Sequence, residues 1–129
     1  MAAGRLITVV LEVSDLAASS AFYGGLLQLA LHEGADNQAG DDRWISGEHA
    51  ALSWTDGPFL HFSLYQAKAE VTRSVQLGFD TADLTAAHAR LIVGGAKVIH
   101  PPRAEPWGAT ARYADPDGNV VSLTQARGA

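Results

Sequence analysis

Cysteine is absent from the 129 residues, which excludes disulfide staples, thiolate zinc sites and cysteine nucleophiles together. No apolar run approaches the roughly 18–20 residues that a membrane-spanning helix needs. The opening Met1-Ala2-Ala3-Gly4-Arg5 has neither the charged region nor the apolar core of a secretory signal. Positive charge is scarce as well: 9 Lys and Arg stand against 14 Asp and Glu, for a net charge of −5. Without a Lys/Arg cluster the chain lacks the electrostatic footprint of a nucleic-acid binder. Neither a Gly-x-Ser-x-Gly elbow nor a phosphate-cradling glycine loop is present. What is there is an ordinary globular mix, 47% hydrophobic and 18% charged, at the size of one domain. The expectation is a cytoplasmic domain with no membrane or nucleic-acid partner, stabilised by its core alone.

The chain repeats itself. Val10-Leu11-Glu12-Val13-Ser14-Asp15-Leu16 has a counterpart in Gly78-Phe79-Asp80-Thr81-Ala82-Asp83-Leu84, at a constant offset of 68 residues. In both copies a strand-like run ends at an aspartate and an Ala-rich helical stretch follows. Asp15 and Asp83 can cap the orphan N–H groups of those helices, with Ser14 a rival cap in the first copy. Gly24-Gly25 and Gly94-Gly95 are placed to end them, as left-handed glycines do. Asp56-Gly57 before the run Phe59 to Leu64, and Asp117-Gly118 before Val120 to Leu123, read as hairpin turns, where positive φ favours glycine. Runs at Arg43 to Ser46 and Ala50 to Trp54 complete the first copy, and Val98-Ile99 with Ala109 to Ala114 the second. The predicted fold is α+β: two tandem βαβββ modules, 1–65 and 74–129, joined by a polar linker over 66–73. Each module is too small to be stable alone.

The segment Trp107-Gly108 with Tyr113-Ala114-Asp115-Pro116-Asp117-Gly118-Asn119-Val120-Val121-Ser122-Leu123 resembles the closing strands of the vicinal-oxygen-chelate superfamily. That family includes glyoxalase I, extradiol dioxygenases, fosfomycin-modifying enzymes and bleomycin-resistance proteins. Val13-Ser14-Asp15-Leu16 with Phe22-Tyr23 resembles its opening strand and helix, so the likeness covers roughly Leu6 to Gln125. It implies two curved sheets around a shared cavity, and a homodimer in which modules of two chains often pair into equivalent cavities.

Strand alternation sorts the side chains between the two faces. Val9, Leu11 and Val13 pack under the first helix, leaving Thr8, Val10 and Glu12 for the cavity. Leu77, Phe79 and Thr81 do the same in the second copy, leaving Gln76, Gly78 and Asp80. The resemblance implies four metal-ligand positions on the first and last strands of the modules. Here these are Thr8, Gln76, His61 and Ser122, with Ser63 an alternative to His61 because both share a face. A catalytic zinc or nickel ion takes three or more protein ligands, typically one of them anionic. Glu12 lies about 13 Å along the strand from Thr8, too far to join. The expectation is therefore no metal and no other cofactor. His32, His49, His88 and His100 show no ligand spacing and read as surface or packing residues. His61, with an unperturbed pKa near 6.5, is the one candidate base.

Aromatic residues carry the positive side of the reading. Trp44, Trp54, Phe59, Tyr65, Trp107 and Tyr113 fall on or beside the expected cavity walls. The resemblance implies that metal-free members hold planar antibiotics between rings, and Trp107-Gly108 matches a feature of those binders. The predicted contact set is Trp44, Trp54, His61, Gln76, Trp107 and Tyr113. Each stacked ring adds about 0.5–1.5 kcal/mol beyond the area it buries. Glu12, Asp80 and Glu105 near the mouth favour a cationic or neutral guest. The reading is a metal-independent binding protein for a small aromatic molecule, of the resistance or sequestration type. Two alternatives stand beside it. One is a divalent-metal glyoxalase- or dioxygenase-like lyase or oxidoreductase with an unconventional ligand set. The other is a cofactor-free isomerase using His61.

Overall fold

The computed structural model describes residues 4–36 and 47–127. Strand β1 (Thr8–Val13) leads into helix α1 (Leu16–Ser20), and β2 (His32–Asp36), β3 (Gly47–Trp54) and β4 (Leu60–Gln66) complete the first module. The second repeats the plan with β5 (Gln76–Asp80), α2 (Leu84–Val93), β6 (Lys97–Glu105), β7 (Gly108–Ala114) and β8 (Val120–Ala126). The result is two four-stranded sheets, ordered β1-β4-β3-β2 and β5-β8-β7-β6. The first and last strands of each module run parallel, and the other neighbours are antiparallel. This is the predicted α+β pair of βαβββ modules. No helix among the described residues is long and apolar enough to cross a membrane.

The helix starts follow the sequence closely. Asp15 accepts from the Ala18 N–H at 3.2 Å and Asp83 from the Ala86 N–H at 3.0 Å, so the aspartates are the caps. The rival Ser14 is engaged elsewhere. A second capping device is repeated without having been visible in the sequence. Gln66 Oε1 accepts from the Leu16 N–H at 2.9 Å, and Gln125 Oε1 from the Leu84 N–H at 2.8 Å. Each last strand thereby ties down the first turn of its own module's helix.

The helix ends diverge from expectation. Helix α1 runs on through Gly24-Gly25 as a wide π-type turn, Ala21–Leu26, in which the Leu27 N–H donates to Phe22 O at 3.0 Å. The left-handed residue there is Gln28, at φ 60°. After α2 the prediction holds at Gly95, φ +80°. Gly94 serves close approach instead, since a Cβ there would lie 2.2 Å from Leu26 Cδ2. Strand positions differ too. The run at Arg43 to Ser46 lies outside the described residues, and β2 forms at His32–Asp36, where no strand was expected. Strand β6 passes through Pro101-Pro102 with register shifts between Val98 and Arg103. Prolines sit at such irregularities because they cannot donate to a ladder.

Both modules contribute to one core. Leu11, Val13, Phe22, Tyr23, Phe62 and Leu64 of the first pack with Leu84, Leu91, Tyr113, Val121 and Leu123 of the second. Phe79 bridges them, with ring centroids 6.1 Å from Phe62 and 6.3 Å from Tyr23. A polar clasp crosses the same junction. The Tyr23 hydroxyl donates to Asp115 Oδ2 at 2.7 Å. Ser14 donates to Asp117 through its N–H, at 3.1 Å, and through its hydroxyl. Arg73, from the segment between the modules, donates to Asp117 O at 2.8 Å.

Burial, then the hydrogen bond to Asp115 and the charges of Asp115 and Asp117, push the Tyr23 hydroxyl far above its ordinary titration range. The fold therefore favours the neutral phenol. Its stabilising effect is complete below the unfolded-state pKa near 10 and declines as pH rises above that value. Tyr23→Phe is expected to cost about 1–3 kcal/mol at neutral pH and to reduce the loss of stability above about pH 10. Urea unfolding at neutral and alkaline pH checks this, and an unchanged alkaline loss in the variant contradicts it.

Candidate functional site

With the apolar faces turned to the helices, the opposite face of each sheet is left open, as alternation requires. On the first sheet Thr8, His61 and Ser53 stand side by side in register across β1, β4 and β3. Next to them lie Val10, Ser63, Ala51 and His32, and beyond these Glu12, Tyr65, His49 and Gly34. On the second sheet the rows are Gln76, Val120, Ala114 and Lys97; then Gly78, Ser122, Arg112 and His100; then Asp80, Thr124, Thr110 and Arg103.

The four positions drawn from the resemblance do fall on these open faces, but not as two equivalent pairs. Thr8 is the register partner of His61, whereas Gln76 faces Val120, and Ser122 faces Gly78. The partner-for-partner equivalent of Ser122 is Ser63, opposite Val10, and that of His61 is Val120. The cause is hairpin geometry. Gly118 takes φ +91°, but Gly57 does not enter the left-handed region, so counting from the two glycines starts from unlike turns. His61 Nδ1 lies 2.7 Å from Ser53 Oγ, which orients the imidazole. Beside it in register stand the hydroxyl residues Thr8 and Ser53. Among the described residues no three His, Asp or Glu side chains converge. This donor set does not fit a divalent ion, for which two or more firm ligands are missing.

Of the predicted aromatic contacts, Trp107 lies on the open face. It is 60% exposed, and its indole Nε1–H donates to Thr110 Oγ1 at 3.3 Å. Thr110 Oγ1 lies in turn 3.2 Å from Thr124 Oγ1. The ring is thus laid on a bed of hydroxyls, over the β7–β8 half of the sheet. Two predicted contacts need correction. Tyr113 is fully buried in the core, with its hydroxyl 2.7 Å from His88 Nδ1. Trp54 packs against the core from the other side. There it lines a cleft of about 560 Å³ with Val9, Phe62, Phe79 and Arg90. Both corrections have one physical source, the period of two along a strand: a place on a wall strand does not say which face the side chain takes. Trp44 lies outside the described residues. Phe59 is exposed in the loop before β4, and Tyr65 is buried, stacked on His49 with centroids 4.7 Å apart. Ser53, Thr110, Thr124 and Arg112 were missed. Their parity with Ser122 and His61 across paired strands was the available signal, and it needed the register to be read.

Comparison with known proteins agrees with this geometry. The family model of the Glyoxalase/Bleomycin resistance protein/Dioxygenase superfamily matches residues 5–123. The chain belongs to that superfamily. No curated protein gives a significant match. Among solved structures, the chain is similar to TnmS3, an antibiotic binding protein from Streptomyces sp. CB03234. They share 27% identity and a TM-score of 0.70 over 98% of this chain and 99% of that one. A glyoxalase/bleomycin resistance protein from the same organism is also 27% identical, with a TM-score of 0.66 over 94% and 100% of the two chains. A glyoxalase/dioxygenase from Nostoc punctiforme shares the fold, with a TM-score of 0.70 at 24% identity over 96% and 92%.

The division between an open-face ring and a core ring is measurable in the superfamily member itself. Tyr113→Ala is expected to cost about 3–5 kcal/mol, as for other large buried rings. Trp107→Ala is expected to stay within about 1 kcal/mol. Comparable losses for the two in urea unfolding contradict the assignment of faces.

Proposed function

We propose that this protein is a metal-independent binding protein for a small aromatic molecule, which it holds rather than transforms. The observation that carries the reading is the composition of the open faces. At the positions where a metal-using member needs anionic and imidazole ligands stand Thr8, Gln76, Ser122 and a single histidine, His61. On the second sheet, over the β7 and β8 strands, Trp107 presents an exposed ring fixed by a hydrogen bond. An indole held in place loses little conformational freedom on binding and offers a flat apolar surface. Similarity to a protein that is an antibiotic binding protein, at 27% identity over nearly the whole of both chains, supports the same reading.

The working unit is a homodimer. Strands β1 and β5, like β2 and β6 at the far ends of the two sheets, each have a neighbour on one side only among the described residues. Near the β1 edge Leu6, Ile7 and Val10 are 71%, 53% and 38% exposed. Exposed apolar edge strands are normally covered in native proteins, and a second copy that covers them also encloses the open faces. Sedimentation equilibrium is expected to give twice the chain mass, shifting towards the monomer in Ile7→Asp. A wild-type monomer at micromolar concentration contradicts the dimer.

A cofactor-free proton transfer at His61 is the second reading, favoured by the 2.7 Å contact that aims the imidazole. One experiment separates the two. EDTA-treated protein is titrated with planar polycyclic aromatic antibiotics, following tryptophan fluorescence, thermal shift and the recovered compound. The proposal expects quenching, a raised Tm, and the compound returned unchanged. Trp107→Ala is expected to weaken binding about tenfold, the loss of one good aromatic contact. No response across the panel overturns binding. Conversion of the compound, abolished by His61→Ala, favours the second reading.

A further inference from the structure

We infer that the guest recognised on this face carries an anionic oxygen, a carboxylate or an ionised phenol or enol, and that Arg112 receives it. The inference rests on the reading of the open faces as an aromatic-binding site and specifies the chemistry of that site. Arg112 lies on the interior strand β7, in register between Ser122 and His100. Its side chain is exposed on the same face as Trp107's hydroxyl bed, because Thr110 and Arg112 are two residues apart along the strand. Thr110, whose hydroxyl accepts from the indole, and Arg112 therefore stand about 7 Å apart in backbone position. That is the separation between the body of a ring system and an oxygen substituent on it.

The charges nearby leave this guanidinium uncompensated. Arg112 has no ion pair among the described residues. Glu105, which composition placed at the mouth as an acidic group, is held by Arg103 at 2.8 Å and is neutralised. Asp80 is the remaining carboxylate on this sheet face. It stands on the edge strand β5, two strands away and one row removed, at roughly 12 Å from the Arg112 backbone. Lys97, one row from Arg112 on the other side, is also without an ion pair among the described residues. The local field is thus positive in a chain whose total charge is −5. A planar guanidinium is suited to a carboxylate or a pair of ring oxygens, which it contacts through parallel N–H groups. Ser122 adds a hydroxyl donor next to it in register. The expectation from composition, a cationic or neutral guest, is reversed at this site.

The test uses three probes with one ring system: anthracene-2-carboxylate, anthracene-2-carboxamide and anthracen-2-ylmethylammonium. Affinities are measured by calorimetry on the full chain, in EDTA, at two salt concentrations. The carboxylate is expected to bind about tenfold more tightly than the amide, the effect of one charged hydrogen bond, with the ammonium weakest. Added salt is expected to narrow the difference. In Arg112→Gln the carboxylate falls to the level of the amide while the amide is unchanged, which a general loss of folding cannot produce. Equal or tighter binding of the amide or ammonium by the wild type overturns the inference and leaves aromatic binding standing. So does a carboxylate preference that survives in Arg112→Gln. No binding by any of the three overturns the aromatic-binding reading itself.

Discussion

Two carboxylates in one short turn, Asp115 and Asp117, join the modules, and the position of every functional group depends on that joint. They are only 5% and 2% exposed, a situation that is strongly unfavourable for an ionised group unless donors surround it. Asp115 has them: the Tyr23 hydroxyl, the N–H groups of Asp117 and Asn119, and the Asn119 amide. Asp117 has both donors of Ser14 and the Arg73 guanidinium at 3.7 Å. Tyr23 and Ser14 belong to the first module and the turn to the second. The hydrogen bonds from Tyr23 and Ser14 are therefore the ones that both help to satisfy these carboxylates and hold the two modules together. A single core follows, and the opposite faces of both sheets are turned outward.

That arrangement explains why the architecture was readable from the sequence and much of the site was not. The internal repeat, the capping aspartates and the alternation Val9-Leu11-Val13 are local signals, each set by the chemistry of one short segment. They place the modules, the helix starts and the open face of β1 and β5 correctly. The Asp115 to Asn119 segment was legible as a family signature, but its role as an inter-module clasp was not, because its partners lie about a hundred residues away. Tyr113 and Trp54 were misassigned for a different reason. Which way a side chain points alternates along its strand, and a place on a wall strand does not fix the face until the register is known. His32–Asp36 carries a Gly and three charged or titratable residues in five, so no apolar alternation marks it as β2. The double glycine after α1 is absorbed into a wide turn and ends nothing.

The open faces also show how far bulk composition can diverge from a local field. A net acidic chain places Arg112 and Lys97 on one sheet face without an ion pair among the described residues, and satisfies Glu105 and the two clasp aspartates internally. The chemistry follows from this distribution. A divalent ion needs anionic ligands converging on one point, and among the described residues no three His, Asp or Glu side chains converge. A flat molecule needs a fixed ring and directional donors, and under the proposed function these come from Trp107, Ser122 and Arg112. Membership of a superfamily that contains both enzymes and binders does not decide between them; the proposed function rests on the residues of these rows.

The most direct measurement is an amide chemical-shift map of the isotope-labelled, EDTA-treated protein on addition of a planar aromatic guest. The account predicts the largest changes at Trp107, Thr110, Arg112, Ser122 and Thr124, along β7 and β8. Changes confined to the Trp54, Phe62 and Phe79 cleft, or changes that develop only after a divalent metal is restored, would contradict it.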